Sequence, residues 1–303
     1  MSDPTPIAVT SRSFSRHPVL RAELLDRYSD VAFNDEGLSL AGDELVAFLQ
    51  GKTKAITALE RIDDSILSRL PELRVISKVG VGVDMIDTDA VERHGVRLSW
   101  TPGTNSRSVA ELVVGLAIAL LRGIVPASAA VRDGAWQQQK GSTLSGRTVG
   151  IVGLGSVGAD LATLLGAFDC RILAFDAVRR EAPGVEHVDL DELLRESDVV
   201  SLHLGLDDST RGILDRARLE LLRPHAVLIN TARGGLVDED ALAELLASGK
   251  IAGAAFDVFG VEPPGDSALL RLPNFIATPH IGGSTEEAIL AMGRAAIAGL
   301  DNG

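Results

Sequence analysis

Apolar residues in this chain recur in short runs, and most runs precede a segment in which apolar positions return every three or four residues. Ile7–Thr10, Val31–Asn34 and Ala55–Ala58 are such runs in the first hundred residues. Short apolar runs predict buried strands, and the longer periodic segments predict amphipathic helices. The alternation therefore predicts a small parallel α/β unit, with a Ser/Arg loop over Ser11–Arg16.

The most informative apolar run comes later, at Val149–Gly158. A buried strand that passes through a glycine turn into a helix has this pattern, and such a turn holds the pyrophosphate of a dinucleotide. The next apolar run ends at Asp176, 18 positions after Gly158, where a carboxylate that binds a ribose hydroxyl of NAD is expected. Three glycines break the first run: Gly153, Gly155 and Gly158. Together these features predict a dinucleotide-binding domain.

The segments around this fingerprint predict the rest of the second domain. Trp100–Asn105 is a cluster of helix-breaking residues and a candidate hinge. Ser106–Arg122 is a long apolar helix with little polar face, which predicts burial between domains or in a subunit interface. Six or so apolar runs between residues 148 and 277 predict one doubly wound sheet.

Composition narrows the classes of function. The formal charge of -13 arises from 29 basic and 42 acidic residues, which argues against a nucleic-acid or anionic-membrane partner. A small anionic substrate is compatible with it, because a few local cations can outweigh the net field. Cys170 is the single cysteine, so neither a disulfide nor a cysteine-based zinc site is expected, and no metal is predicted. No apolar run reaches membrane-spanning length, so we expect a soluble, cytoplasmic protein.

Three predicted strands of the second domain end in unusual polar residues. Arg233 follows the run Ala226–Asn230, Glu262 follows Ala252–Phe256, and His280 follows Phe275–Ala277. Each has an ordinary alternative: a surface arginine, a solvated loop carboxylate and a loop histidine. In open parallel sheets, however, ligands bind beyond the carboxyl ends of the strands. The set as a whole suits hydride transfer at a hydroxyl or keto carbon beside a carboxylate.

Each residue of this set has a role in that chemistry. Arg233 would bind the substrate carboxylate through its planar fork and polarise the carbonyl. His280 would take the hydroxyl proton in oxidation and return it in reduction. Glu262 would hydrogen-bond the imidazole, favouring its protonated form and fixing its tautomer. The cofactor would carry the hydride.

Several motifs make the chain similar to the D-isomer-specific 2-hydroxyacid dehydrogenases over nearly its full length. They are Gly80–Asp84, Thr101–Glu111, the fingerprint with Asp176, Asn230–Leu242, Asp257–Pro264 and Thr278–Gly283. The resemblance implies that Arg233, Glu262 and His280 are the catalytic set. It implies two Rossmann-like α/β domains with doubly wound parallel sheets: a discontinuous substrate domain over residues 1–101 and 282–303, and an NAD-binding domain over 102–281. It also implies a homodimer through Ser106–Trp136.

The same resemblance implies contact residues for both ligands. The expected cofactor contacts are Gly153, Gly155, Ser156, Val157, Gly158, Asp176, Thr231, Ala232, Asp257 and Gly283. The expected substrate contacts are Lys78, Val79, Gly80, Val81 and Asn105, with Arg233 and His280. From the residues alone, the glycines at 80 and 82 suit equally a close approach to a ligand or a tight turn. Asp176 would repel a ribose 2′-phosphate, which predicts NAD, although Arg179 and Arg180 lie close enough to soften that choice.

Within the family the chain looks most like 3-phosphoglycerate dehydrogenases without a regulatory domain. Asp133–Trp136 and Leu144–Gly155 resemble that branch. An arginine that often holds the substrate phosphate there would fall near Thr57, which is not basic, and Gly205 replaces a usual proline. Lys78, Arg12 and Arg16 offer other positive charge. We therefore expect an NAD-dependent dehydrogenase that transfers a hydride between nicotinamide and C2 of a D-2-hydroxy acid, with 3-phosphoglycerate or a related phosphorylated or phosphonate acid as one candidate substrate. The alternatives are a phosphite- or formate-type dehydrogenase and an NAD-sensing, corepressor-like binding protein.

Overall fold

The chain folds into two compact units, seen in a computed structural model that describes residues 2–301. One unit combines the residues up to Asn105 with those from Thr285 onward, and the other is Ser106–Ser284. The first unit is thus discontinuous in sequence, and the ligand that each unit binds stays a prediction. The breaks lie a few residues beyond the predicted ones at 101 and 281, because they fall in the turns before the helices that begin at Ser106 and Glu286.

Five parallel strands form the sheet of the first unit, in the order β2-β1-β3-β4-β5. The strands are β1 (Ile7–Val9), β2 (Val31–Phe33), β3 (Lys54–Thr57), β4 (Val75–Lys78) and β5 (Arg97–Ser99). The helices, numbered along the whole chain, are α1 (Arg12–Arg16), α2 (Pro18–Arg27), α3 (Gly42–Leu49), α4 (Asp64–Leu67), α5 (Thr88–Arg93) and α12 (Glu286–Gly299). Ile7 and Val9 enter one apolar core and Ala8 enters another, so both faces of the sheet are covered.

Helix α12 packs closely against the first unit. Gly293 faces the buried Leu20 side chain of α2, and a Cβ at residue 293 would lie 2.3 Å from Leu20 Cδ1. The Ser77 hydroxyl of β4 donates to the Ala296 carbonyl of α12 at 2.7 Å. The last helix is therefore part of the core of this unit, as the sequence resemblance implied.

Seven parallel strands form the sheet of the second unit, in the order β12-β11-β10-β9-β6-β7-β8. The strands are β6 (Thr148–Val152), β7 (Arg171–Phe175), β8 (Val185–His187), β9 (Val199–Leu202), β10 (Val227–Asn230), β11 (Gly253–Phe256) and β12 (Phe275–Ala277). The helices are α6 (Ser106–Arg122), α7 (Ile124–Arg132), α8 (Ser156–Gly166), α9 (Leu190–Glu196), α10 (Arg216–Leu219) and α11 (Glu239–Ala247), with a 3₁₀ helix at Ala268–Arg271. The doubly wound sheet is thereby confirmed.

The strand order of the second unit creates a switch point between β6 and β9. From β6 the chain moves to β7 on one side, whereas β9 and its successors lie on the other side. Separate apolar cores cover the two faces, one around Val113 and Ile151 and the other around Leu193 and Leu228. Ligands of such sheets bind where the strand order reverses, beyond the carboxyl ends.

Some short elements differ from the sequence prediction. The segment predicted as a Ser/Arg loop contains α1, which begins after Ser11, whose hydroxyl accepts from the Phe14 amide at 3.4 Å. Only Phe14 and Ser15 of this helix are buried, too few to show helical periodicity. Strand β8 was also missed, since its three residues are only partly buried or exposed and form no apolar run.

No single helix among the described residues is long and apolar enough to cross a membrane. Only α6 and α7 together reach that length, and a bend of 63° separates them. The cytoplasmic location stays a prediction.

One buried carboxylate anchors the amino-terminal edge of the second sheet. Asp198 accepts the Thr148 amide at 3.1 Å, and its other oxygen lies 2.8 Å from His225 Nε2 and 3.4 Å from Arg223 Nη1. Burial acts to raise the pKa of Asp198, but the Thr148 amide and the His225 ring outweigh it, so the pKa lies below its usual value. The carboxylate therefore stabilises the fold when it is ionised.

We predict that Asp198→Asn lowers the free energy of unfolding at pH 7 by about 1–3 kcal/mol, the range for hydrogen bonds to a charged group. The folded-state pKa is the lower one, so this stabilisation is present above about pH 4, where the unfolded carboxyl titrates. It disappears as the pH falls through the folded-state value.

Denaturant unfolding followed by circular dichroism between pH 3 and 7 measures this difference. Asp191→Asn is the control, because Asp191 is half exposed and its contacts to Arg195 and Arg218 are 3.5 Å or longer. A destabilisation by Asp198→Asn that is the same at pH 3 and pH 7 would contradict the assignment.

Candidate active site

The turn between β6 and α8 is closed by glycines that no other residue can replace. Gly153 has a φ of +100°, and a Cβ there would lie 2.8 Å from the His203 carbonyl oxygen. A Cβ at Gly158 would lie 2.2 Å from the Gly153 oxygen. The turn thus brings strand, helix and the end of β9 into backbone contact, and this cradle fits the pyrophosphate of a dinucleotide.

The amino terminus of α8 faces this turn without a side-chain cap. Gly155 is the residue before the helix, and Ser156 and Val157 begin its first turn, which contains no acidic residue. Backbone amides at such a terminus lack intrahelical partners and carry the positive end of the helix dipole. The site therefore suits an anion such as a phosphate.

Asp176, directly after β7, is held in place by the same turn. Its Oδ2 accepts the Leu154 amide at 2.7 Å and its Oδ1 accepts the Val178 amide at 3.0 Å. Each carboxylate oxygen has a second lone pair, so the group can still accept from a ribose hydroxyl. Across the switch point, Thr231 is buried and its hydroxyl has no hydrogen-bond partner within residues 2–301. An unsatisfied hydroxyl beyond a strand end is a feature that a bound cofactor would explain.

The loop after β10 is built around Arg233. The Asn230 side chain bridges it, donating to the Arg233 carbonyl at 2.9 Å and accepting from the Ala232 amide at 3.1 Å. A Cβ at Gly234 would lie 1.9 Å from the Phe259 carbonyl carbon, so the loop after β10 packs backbone to backbone on the loop after β11. The position of Arg233 is therefore tied to the neighbouring strand end.

The loops after β11 and β12 are joined by the carboxylate of Asp257. It is almost fully buried and accepts the Thr278 hydroxyl at 2.5 Å and the amides of Ile281 and Gly282 at 2.8 and 2.7 Å. Gly283, the other predicted cofactor contact here, is half-buried in the same loop. Asp257 thus organises the loop that carries His280, and its cofactor contact stays a prediction.

His280 and Glu262 are in direct contact. Nδ1 of His280 lies 2.8 Å from Glu262 Oε2, and Glu262 Oε1 accepts the Phe259 amide at 3.1 Å. His280 has a φ of +56° and its side chain is 42% exposed. Because Nδ1 is bonded to the carboxylate, Nε2 is the ring nitrogen available to a ligand. Both residues line a cavity of about 350 Å³ with Asp257 and Thr278.

The predicted catalytic residues thus follow three adjacent strands, β10, β11 and β12. The structure pairs His280 with Glu262 and ties the loop of Arg233 to the loop before Glu262 through Gly234. The fingerprint and Asp176 follow β6 and β7, on the other side of β9.

The first unit carries the predicted substrate contacts at the end of β4. Lys78 is buried, and its ammonium donates to the carbonyls of Ala58 and, at 3.1 Å, Val79. Gly80 has a φ of +105°. Among the described residues, the amides of Gly80 and Val81 have no backbone acceptor, so this turn presents successive N–H groups. Asn105 ends the unit, and its Oδ1 is buried with no partner in residues 2–301.

His203, at the end of β9, was not singled out from the sequence as a functional residue. Its ring lies 2.9 Å from the Ser201 hydroxyl, and burial lowers the pKa of His203 to about 4, so the ring is neutral at pH 7. It follows the strand between the fingerprint and the catalytic loops. The signal for it was similar to that for His280: a histidine at the carboxyl end of a buried strand, directly after Leu202 in this case.

Comparisons with known proteins agree with this geometry. Residues 114–282 match the model of the D-isomer specific 2-hydroxyacid dehydrogenase NAD binding domain. A hydroxypyruvate reductase from Thermotoga maritima is 40% identical over 82% of this chain and 84% of its own length. A D-3-phosphoglycerate dehydrogenase from Methanocaldococcus jannaschii is 42% identical over 77% of this chain, but the match spans only 46% of that longer protein.

A solved structure is also similar over nearly the whole chain. The D-lactate dehydrogenase from Aquifex aeolicus, complexed with NAD and lactic acid, has a TM-score of 0.85 and 26% identity, covering 97% of this chain and 93% of that one. The predicted cofactor, NAD, is confirmed by the family model and by this complex. The chain therefore belongs to the D-isomer specific 2-hydroxyacid dehydrogenases and is an NAD-dependent oxidoreductase.

Proposed function

We propose that the protein interconverts short, unphosphorylated 2-keto acids and the corresponding D-2-hydroxy acids. The observation that carries the proposal is the hydrogen-bonded pair of His280 and Glu262 beside the loop of Arg233. A histidine oriented by a carboxylate is a proton donor and acceptor, and an arginine fork recognises a carboxylate. These are the groups that reduction of a 2-keto acid requires.

Each side chain has a defined task in this reaction. When bound, the nicotinamide would supply or accept the hydride at the substrate C2. His280 Nε2 donates the proton that the carbonyl oxygen gains, because its Nδ1 is held by Glu262. Glu262, itself fixed by the Phe259 amide, orients the ring and fixes its tautomer. Arg233 binds the substrate carboxylate.

The preference for an unphosphorylated substrate rests on the first unit. Thr57, near which a phosphate-binding arginine would fall, is buried, and its hydroxyl has no hydrogen-bond partner among the described residues. The nearby ammonium of Lys78 donates to backbone carbonyls, and Arg16 donates to the Glu36 carbonyl at 3.4 Å. A phosphate dianion is bound best by forked arginines and several amides together. The relative named hydroxypyruvate reductase also matches over most of its length.

A panel of 2-keto acids tests this substrate class. We predict that kcat/KM with NADH is at least about tenfold higher for hydroxypyruvate or glyoxylate than for phosphohydroxypyruvate, which is the discrimination one charge-assisted contact supplies. The loss of nicotinamide absorbance measures the rates. A preference for phosphohydroxypyruvate would instead support the phosphoglycerate branch, and NADH binding without turnover of any 2-keto acid would refute the proposal.

The proton-transfer roles are tested by His280→Asn and Glu262→Gln. Asparagine tolerates the left-handed backbone of residue 280 better than alanine. Loss of a general acid costs about 10²- to 10⁴-fold, so we predict that kcat falls by this factor in His280→Asn, and by less in Glu262→Gln.

NADH affinity, measured by fluorescence, should stay within about twofold of the wild type in both variants, because neither residue contacts the phosphates. His94→Asn is the control, since His94 pairs with Asp64 on the surface of the first unit. Full activity of His280→Asn would show that another group transfers the proton.

We also propose that two copies associate through the segment of Ser106–Trp136 that contains α7. This helix has no buried residue, although it is largely apolar. The exposed apolar side chains of this segment include Ile124, Val125, Val131 and Trp136, the last being 83% exposed. Exposed clusters of large apolar residues mark interaction surfaces.

Light scattering after gel filtration tests the homodimer. We predict a dimer for the wild type and a monomer for the double variant Val131→Glu with Trp136→Glu, because two carboxylates cannot be buried unpaired. Leu25→Glu, on an exposed face of α2, should leave the mass unchanged. A monomeric wild type, or a double variant that stays dimeric, would exclude this interface.

A further inference from the structure

One arginine of the second unit lies over the glycine turn. Nη1 of Arg180 is 3.5 Å from the position that a Cβ of Gly155 would occupy, directly before α8. Its backbone is tethered, because the Arg180 carbonyl accepts from His187 Nε2 at 2.7 Å. Arg180 therefore reaches the turn from the segment after β7, beside the residue that precedes α8.

The guanidinium of Arg180 has no direct ion-pair partner in the described part of the chain. Within residues 2–301, no carboxylate lies at ion-pair distance from Arg180, whereas the adjacent Arg179 is 3.1 Å from Glu181. The first turn of α8 has no acidic residue and no side-chain cap. A guanidinium beside the positive end of a helix is electrostatically unfavourable unless an anion lies between them.

We propose that Arg180 binds the pyrophosphate of NAD from the side opposite the amides of α8. The second glycine of the fingerprint is where the backbone approaches the pyrophosphate, and Gly155 is that glycine. The guanidinium supplies a planar fork with several donors, which suits two adjacent phosphate groups. The proposal rests on the family's cofactor and is independent of the substrate class.

Two phosphate sites of a dinucleotide lie near this turn. A ribose 2′-phosphate, present only in NADP, would lie beside Asp176, the carboxylate expected at the ribose. Asp176 accepts the Leu154 amide of the same turn at 2.7 Å, but no ion pair joins it to Arg180 among the described residues. We therefore assign Arg180 to the pyrophosphate, which NAD and NADP share, and a comparison of NADH with NADPH tests that choice.

Direct binding to the full chain tests this assignment. Affinities for NADH are measured by fluorescence, and those for ADP-ribose and adenosine by calorimetry, at low and high salt. In Arg180→Ala we expect about tenfold weaker binding of NADH and ADP-ribose at low salt, the effect of one charge-assisted contact. Adenosine, which has no phosphate, should bind unchanged, and the salt dependence of NADH binding should become shallower.

Two further variants make the test decisive. Arg179→Ala removes the neighbouring arginine that pairs with Glu181, and should change NADH binding less than twofold. Arg180→Lys keeps the charge without the planar fork, so its affinity for NADH should lie between those of the wild type and Arg180→Ala. Arg180 is exposed, so the thermal midpoint should not move.

Three outcomes would overturn the proposal. The first is unchanged NADH binding in Arg180→Ala. The second is an equal loss in Arg179→Ala, which would indicate a general field effect. The third is a clearly larger loss of affinity for NADPH than for NADH, both measured by fluorescence, which would assign Arg180 to the 2′-phosphate. None of these results depends on which 2-keto acid is turned over.

Discussion

The sheet edge of the second unit that carries the predicted catalytic residues depends on one buried carboxylate. Asp257 accepts three hydrogen bonds from the loop after β12, and its own strand, β11, leads to the loop that carries Glu262. Because a buried carboxylate must be satisfied or it destabilises the fold, this network allows few alternative loop conformations. The 2.8 Å contact between His280 and Glu262 is a consequence of that restriction rather than an isolated pairing.

The strand order places the dinucleotide elements and the predicted catalytic residues at different positions along the same sheet edge. The dinucleotide elements follow β6 and β7, whereas the predicted catalytic residues follow β10, β11 and β12, with His203 of β9 between the two groups. Neighbouring strands lie about 4.8 Å apart, so β6 and β10, which are separated by β9 alone, lie roughly 10 Å apart. A dinucleotide held at the switch point would therefore have both groups of predicted contacts along one edge of the sheet.

The sequence could predict the positions of residues that follow a buried strand, because a strand appears in one sequence as a continuous apolar run. Such positions include the fingerprint glycines, Asp176, Arg233, Glu262 and His280. Features that depend on long-range packing were not. Helix α1 buries little more than Phe14, and β8 is an edge strand without an apolar run. The hydrogen bonds of Asp257 and the proximity of Arg180 to Gly155 could not be predicted either, because they join residues that are more than 20 positions apart in the chain.

The backbone contact between Gly234 and Phe259 constrains any rebuilding of this edge of the sheet. With 1.9 Å between a hypothetical Cβ and the Phe259 carbonyl carbon, neither loop can change its path unless the other does. The loop of Arg233 and the loop of Glu262 therefore act as one structural piece, although 29 positions and a helix separate these two residues in the chain. Anyone who transplants this chemistry into another doubly wound scaffold would have to move both loops as one piece, with the glycine that joins them.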